Sequence, residues 1–138
     1  MKFTIGLICL TAFVQAQQSA SVWDGVYIQE QASGGKVIYD QQCSTCHGAD
    51  VTRVRAGGSP MLTGGQFKEN WNGLSVAELF EYVKTSMPRN DAGHLTPGQT
   101  ANVVAFIFSS NGFPAGQKEL SADPAALKAI RIEAAKAK

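Results

Sequence analysis

The sequence has little net charge and few cysteines, and its longest hydrophobic run is short. Its 12 Lys and Arg residues are balanced by 11 Asp and Glu residues, a formal charge of +1. Such a chain offers no basic field for the phosphates of a nucleic acid, so we expect no nucleic-acid partner. The length of 138 residues and the 44% hydrophobic content exclude a multidomain machine and a mostly disordered chain, and they indicate one globular domain.

The longest apolar run lies at the N-terminus and predicts a cleaved leader. Lys2 gives a positive start, residues 3–14 are mostly apolar, and small residues around Ala16 suit signal peptidase. As a helix this run would reach about 18 Å, against a hydrocarbon core of roughly 30 Å, so a membrane span is disfavoured and an uncleaved anchor is the lesser alternative. Cys9 lies deep inside the run and does not indicate lipid attachment. We expect a signal peptide over residues 1–16 and a periplasmic or secreted protein.

The two cysteines that remain, Cys43 and Cys46, are separated by two residues and followed directly by His47. This is the pattern of c-type haem attachment. On a helical turn, two thiols at this spacing reach vinyl groups on adjacent pyrroles, and the next side chain points at the iron. The pattern therefore predicts one covalently attached haem c, with His47 as an iron ligand.

Three other interpretations of the motif compete with haem. A disulfide between Cys43 and Cys46 would close a very small loop and leave His47 unexplained. A thioredoxin-like thiol oxidase needs the motif at the end of a β-strand, whereas residues 34–42 lack strand alternation. Zinc would need four ligands, including the adjacent Cys46 and His47, and His94 is the only further candidate.

Helix and turn signals outline the first half of the mature chain. A first helix is expected from about Ser33 to the haem motif. The glycines and the proline of residues 48–70 favour a loop. Ser75 and Glu78 form a capping-box pattern that opens a second helix, which should end before Pro88 because the residue preceding a proline avoids the α region.

The second half carries two further helix signals. Thr96 and Gln99 repeat the capping-box pattern, and that helix should stop at the Asn-Gly pair that includes Gly112. A last helix is expected to start at Asp123 and to run through Ile130 into an Ala/Lys tail, acting as a packing strap.

These signals divide the mature chain into three parts. Residues 17–33 form an irregular N-terminal arm, residues 34–112 the haem domain, and residues 113–138 a C-terminal extension with its helix. A core this small usually needs a staple, and a covalently held porphyrin would serve as one.

If His47 binds the iron on one side of the haem, another residue can bind it on the opposite side. Met87 follows the second helix, and Pro88 turns the chain so that the thioether can project over the ring. A methionine ligand raises the reduction potential relative to a second imidazole. Met61, in the loop expected on the His47 side, and His94, in a polar loop, are the alternatives; a lone methionine can also simply fill a core gap.

The residues resemble the class I monohaem cytochromes c over residues 34–112. Gly35 and Tyr39 are similar to the close-packing patch of that family's first helix, which crosses the last helix of the haem domain near an aromatic residue, here Phe106. The resemblance implies an all-α fold, a small helical domain wrapped around one covalently attached haem.

The resemblance also implies roles outside the motif. The loop at Pro60 is similar to one in which a prolyl carbonyl accepts the Nδ1 proton of the proximal histidine, here His47, and so raises its donor strength. Trp71 resembles a residue that packs near the haem propionates. Arg53 and Arg55 are candidates for pairing with a propionate, although solvated loop arginines are the commoner case.

More narrowly, the whole mature chain, including residues 23–27 and 111–116, looks like cytochromes that occur beside or fused to bacterial quinoprotein dehydrogenases. This likeness implies such a dehydrogenase as electron donor and a terminal oxidase or another cytochrome as acceptor. The protein would be a monomer or a subunit.

Three functions are compatible with these observations. The first is a periplasmic carrier of single electrons, which is not itself an enzyme. The second is a dedicated electron-transfer subunit of a quinoprotein dehydrogenase complex. The third is a haem enzyme or gas sensor, which needs an open iron position that a Met87 ligand would block.

The leader and the covalent haem can be tested together. After export, the intact mass should correspond to a chain without residues 1–16 that carries one haem, because the leader is removed and two thioethers retain the porphyrin. Mass spectrometry combined with a visible spectrum measures both. A mass that retains the leader, or a pigment that acidic organic solvent extracts, would contradict the corresponding prediction.

Overall fold

The computed structural model describes residues 20–52 and 59–136. The expected signal peptide, over residues 1–16, and the two loop arginines, Arg53 and Arg55, lie outside the described residues. The elements in chain order are β1 (Ala20–Ser21), a short 3-10 helix (Val22–Asp24), α1 (Gln29–Gln42), α2 (Ser44–His47), α3 (Gly64–Trp71), α4 (Val76–Ser86), α5 (Pro97–Ser110), α6 (Pro124–Lys128) and β2 (Ile130–Arg131). The fold is all-α, as expected, and within the described ranges it includes one pair of two-residue strands. Across the described ranges, no helix is long and apolar enough to cross a membrane.

Helices α1 and α5 cross with their backbones in contact. A Cβ atom on Gly35 would lie 1.8 Å from the carbonyl oxygen of Asn102 and 3.0 Å from the Cβ of Phe106, so only glycine permits this approach. One turn further along α1, the ring of Tyr39 packs on Phe106 with the centroids 5.1 Å apart. The crossing predicted from these residues is therefore confirmed.

The capping boxes that open α4 and α5 are both present. The Ser75 hydroxyl accepts from the backbone N–H of Glu78, and the Glu78 carboxylate accepts from the backbone N–H of Ser75 at 2.7 Å. Thr96 and Gln99 make the same pair of bonds at the start of α5. Met87 is the C-cap of α4, so this helix ends where the sequence predicts. The buried apolar side chains of α4 and α5 form much of the core: Val76, Leu79, Phe80, Val83, Val103, Val104, Ile107 and Phe108.

Two helices differ from the sequence expectations. Helix α1 begins at Gln29 rather than near Ser33, so the end of the segment expected to be an irregular arm is helical. Part of the expected loop over residues 48–70 is helix α3. Phe67 is buried in the core, and Trp71, four residues later on the same helix face, packs partly against it. Burial of this apolar pair outweighs the low helix propensity of the nearby glycines.

The C-terminal helix is shorter than predicted. Helix α6 ends at Lys128, and Ile130 lies in β2, which pairs in parallel with β1 so that Ile130 is opposite Ala20. The backbone N–H of Ile132 donates to the carbonyl of Leu74 at 2.9 Å, and the Ile132 side chain is buried. Pairing with distant backbone groups and burial of Ile132 thus overcome the helix propensity of the Ala/Lys tail.

The N-terminal arm packs against the segment that follows α5. The Trp23 ring meets Phe113 edge-on with the centroids 4.9 Å apart, and its Nε1 donates to the carbonyl of Glu133 at 3.0 Å. The Tyr27 hydroxyl donates to the carbonyl of Phe113 at 2.7 Å, and the N–H of Gly116 donates to the carbonyl of Tyr27. Residues near both ends of the described chain therefore pack against the helical domain.

The helix crossing can be tested by adding a single methyl group. Gly35→Ala places a Cβ inside the backbone of α5 and should lower the free energy of unfolding by at least about 2 kcal/mol, because the helices must move apart. Urea denaturation of the haem-loaded protein measures the change.

Gly34→Ala is the matched control on the same helix. Its Cβ would meet only the Nδ2 of Asn102, at 3.4 Å, so the variant should be neutral or more stable by about 0.5–1 kcal/mol through helix propensity. Equal effects of the two substitutions would show that the crossing at Gly35 is not tight.

Candidate functional site

Cys43, Cys46 and His47 lie on one helical turn. Cys43 is both the C-cap of α1 and the N-cap of α2, and its carbonyl accepts from the N–H groups of Cys46 at 3.1 Å and of His47 at 2.9 Å. Both cysteines carry free thiols. The motif follows a helix rather than a strand, which rules out the thioredoxin-like alternative. The turn thus presents two thiols and one imidazole from consecutive positions of a rigid backbone.

The surroundings of Cys43 suit an uncharged sulfur. Burial, followed by the neighbouring Cys46, raises the pKa of the Cys43 thiol from 9.0 to about 11. The thiol is therefore protonated at neutral pH. A thioether carries no charge, so the burial that disfavours a thiolate does not disfavour a covalent attachment at this sulfur.

The imidazole of His47 is held by the loop that precedes α3. Its Nδ1 lies 3.1 Å from the carbonyl oxygen of Pro60. A carbonyl only accepts hydrogen bonds, so Nδ1 carries a proton, and in the neutral imidazole the lone pair is then on Nε2. A neutral imidazole with this tautomer is the form that binds a metal through Nε2. The donor set of two thiols and one oriented imidazole fits a haem c.

Asn111 fixes the same loop from the C-terminal end of α5. Its Nδ2 donates to the carbonyl of Leu62 at 2.9 Å, and its Oδ1 accepts from the N–H of Gly64 at 3.1 Å. The Thr63 hydroxyl between them donates to the carbonyl of Val51 at 3.2 Å. The sequence indicates Asn111 only as part of a helix stop, because an Asn-Gly pair carries no signal of a long-range contact.

Tyr39 supports the other side of the motif. Its hydroxyl donates to the carbonyl of Gly48, directly after His47, at 2.6 Å. Burial, followed by the nearby Cys43, raises the pKa of Tyr39 to about 12. The sequence identifies Tyr39 as a packing residue, and its polar contact is a further role that the helix pattern does not reveal.

The candidates for a second axial ligand lie in different places. Met87 is half-buried at the end of α4, in an extended conformation. Met61 directly follows Pro60, next to the Nδ1 side of His47. His94 is exposed, and its Nδ1 lies 3.0 Å from the carbonyl of Asp91 in its own loop. Of the three, Met87 alone is half-buried and also lies outside the loop that contains Pro60.

Trp71 lies at the end of α3. Its ring is half-buried and packs against Tyr82 with the centroids 5.7 Å apart. The structure therefore brings His47 and Pro60 into contact, while Met87 and Trp71 are supplied by α4 and α3. The role of Trp71 beside a haem propionate stays a prediction.

A helical domain in which two helices cross as α1 and α5 do, beside a turn with two cysteines and a histidine, is typical of a cytochrome c. The chain belongs to the family described as "Cytochrome C oxidase, cbb3-type, subunit III", whose family model matches residues 30–107. It is therefore an electron-transfer haem protein with haem c as its implied cofactor.

Two similar proteins are named as dehydrogenases. The thiosulfate dehydrogenase of Stutzerimonas stutzeri (strain A1501) is 35% identical over 82 residues, which are 54% of this chain and 26% of that protein. The chain thus spans about a quarter of the length of this curated relative. The crystal structure of the sulfane dehydrogenase SoxCD from Paracoccus pantotrophus is similar at 24% identity with a TM-score of 0.47, covering 81% of this chain and 60% of that one.

The burial of the Tyr39 hydroxyl predicts a pH effect. A raised tyrosine pKa favours the neutral form in the folded protein, so between pH 10 and about 12 the unfolded chain loses its proton first and stability falls. Tyr39→Phe should remove this fall, and near neutral pH it should cost about 1 kcal/mol through the lost hydrogen bond. Urea denaturation at pH 7 and across pH 10–12 measures both effects; an identical alkaline decline in the two proteins would contradict the assignment.

Proposed function

We propose that this protein is a periplasmic c-type cytochrome that carries single electrons through one haem. Cys43 and Cys46 hold the haem covalently, and His47 and Met87 ligate its iron. The observation that carries the proposal is the turn from Cys43 to His47, in which two free thiols adjoin an imidazole held by the Pro60 carbonyl. A haem c uses all three side chains of this turn, whereas a disulfide between the two cysteines would leave the histidine without a role.

The chain's own residues fix the geometry of the site. The haem, when bound, supplies reversible one-electron chemistry at its iron. Pro60 keeps the proton of His47 on Nδ1 and leaves Nε2 as the donor atom. Tyr39 holds the backbone directly after His47, and the α1–α5 crossing holds α1, the helix that leads into the motif. A rigid set of ligands keeps the rearrangement that accompanies electron transfer small.

Two axial protein ligands would leave no position on the iron for a substrate. Met87, at the C-cap of α4, supplies an uncharged sulfur that favours the reduced state. For this reason we assign the protein the role of an electron carrier rather than that of an enzyme.

The proposed location rests on the predicted leader, and the proposed kind of partner contact rests on the balanced charge. Export of residues 17–138 would place the carrier in the periplasm with 11 cationic and 11 anionic side chains. Balanced charge gives little electrostatic steering, so contacts with redox partners should be small and transient, below roughly 1,200 Å². The donor we propose is a dehydrogenase, for which a quinoprotein is one candidate, and the acceptor is a terminal oxidase or another cytochrome.

A second candidate function is a dedicated electron-transfer subunit of a dehydrogenase complex. The observation that favours it is the match to about a quarter of the thiosulfate dehydrogenase of Stutzerimonas stutzeri, 35% identical over 82 residues. A free carrier leaves its donor after each electron, whereas a subunit does not. Co-elution with a dehydrogenase in size-exclusion chromatography would favour the subunit.

Replacement of the proposed distal ligand is the direct test. Met87→Ala should lower the reduction potential by at least about 60 mV, a tenfold change for a one-electron couple, because the thioether stabilises the ferrous state. The reduced variant should also bind carbon monoxide, which the native protein should not. Redox titration and visible spectroscopy measure these changes.

Met61→Ala is the matched control and should keep both the native spectrum and the native potential. If Met61→Ala rather than Met87→Ala opens the iron, the distal assignment is wrong. Tight binding of carbon monoxide by the native reduced protein would instead support a gas sensor or a haem enzyme with an open iron position.

A further inference from the structure

The peptide group between Pro60 and Met61 makes two hydrogen bonds in opposite directions. Its carbonyl oxygen lies 3.1 Å from the Nδ1 of His47. Its N–H, on Met61, donates to the Oε1 of Gln66 at 2.7 Å. A trans peptide group is planar, with its C=O and N–H pointing in opposite directions. A partner that fixes the N–H therefore also fixes the direction in which the carbonyl points.

The start of α3 makes Gln66 available for this contact. Gln66 is the third residue of α3, the position from which a glutamine in a capping box reaches back to the N-cap backbone. The N-cap residue, Thr63, makes no side-chain bond to the helix; its hydroxyl donates to the carbonyl of Val51 instead. Gln66 reaches past the N-cap to Met61, so its Oε1 bonds the loop that contains Pro60 rather than the end of the helix.

Asn111 fixes the residues that follow in the loop. Its side chain bonds the carbonyl of Leu62 and the N–H of Gly64, at 2.9 and 3.1 Å. Gln66 and Asn111 thus hold adjoining parts of the loop, but only Gln66 bonds the peptide group that touches His47.

We infer that Gln66 is a positioning residue for His47: by holding the Met61 N–H, it aims the Pro60 carbonyl at Nδ1 and strengthens it as an acceptor. Hydrogen bonds in series polarise one another, so a carbonyl accepts more strongly when the N–H of its own peptide group donates. A stronger acceptor on Nδ1 makes Nε2 a better donor to iron and stabilises the ferric state. This inference rests on the proposed function, because it assigns Nε2 to the iron.

The test compares three variants of the haem-loaded protein. Gln66→Leu removes the acceptor, and Gln66→Glu keeps an acceptor of the same length. Gln99→Leu is the matched control, because Gln99 is also the third residue of its helix and its Oε1 accepts a backbone N–H, that of Thr96, at 2.9 Å. The readouts are the solvent exchange of the His47 Nδ1 proton, followed by NMR in the ferrous protein, and the reduction potential.

In Gln66→Leu, exchange of the Nδ1 proton should become about tenfold faster, the factor expected for a weakened hydrogen bond, and the reduction potential should rise. Gln66→Glu should keep the slow exchange of the native protein. Gln99→Leu should change neither quantity, although it too loses a bond between a glutamine Oε1 at the third position of a helix and a backbone N–H.

Unchanged exchange and potential in Gln66→Leu would overturn the inference, as would equal changes in Gln99→Leu or faster exchange in Gln66→Glu. The wild-type protein separates this failure from that of the proposed function. If the wild type shows no iron-bound His47, the proposed function and the inference both fail. If it shows iron-bound His47 with slow exchange and Gln66→Leu matches it, the inference alone fails.

Discussion

The backbone contact between α1 and α5 at Gly35 is the constraint on which the candidate site depends. Cys43, the C-cap of α1, is the first residue of the motif, whereas Asn111, the C-cap of α5, holds the loop that contains Pro60. His47 and Pro60, the two partners of the imidazole contact, are therefore each tied to the C-terminal end of one of the two helices that cross. Their separation is set by how closely the helices approach, and a glycine at the crossing allows the closest approach that a backbone can make.

Around the motif, side-chain amides and hydroxyls hold the backbone of the loops in place. Tyr39, Thr63, Gln66 and Asn111 each bond a backbone group of the segments that flank His47. A loop has few backbone partners of its own, so such bonds satisfy its polar groups and fix its course at the same time. The site is thus positioned by residues that would not themselves touch the iron.

The motif and the two capping boxes could be predicted from the sequence, because each depends on residues a few positions apart. The helix crossing could also be predicted, through the resemblance to the class I cytochromes c that Gly35 and Tyr39 carry. Helix α3 could not, since the glycines near it give the local pattern of a loop and only the burial of Phe67 decides the outcome. The same holds for β2, which is formed by pairing with residues more than 100 positions away. The bonds of Gln66 and Asn111 carry no periodic signal, because a single amide can serve a cap, a turn or a distant loop.

The pairing of β1 with β2 has a consequence for the order of assembly. Residues 20 and 130 are neighbours in space, although nearly the whole domain lies between the two strands along the chain. Closing so long a segment costs chain entropy and yields few bonds in return, which makes it a poor place to begin folding. The helices, and with them the turn that carries Cys43, Cys46 and His47, can therefore organise while residues 20 and 130 are still apart.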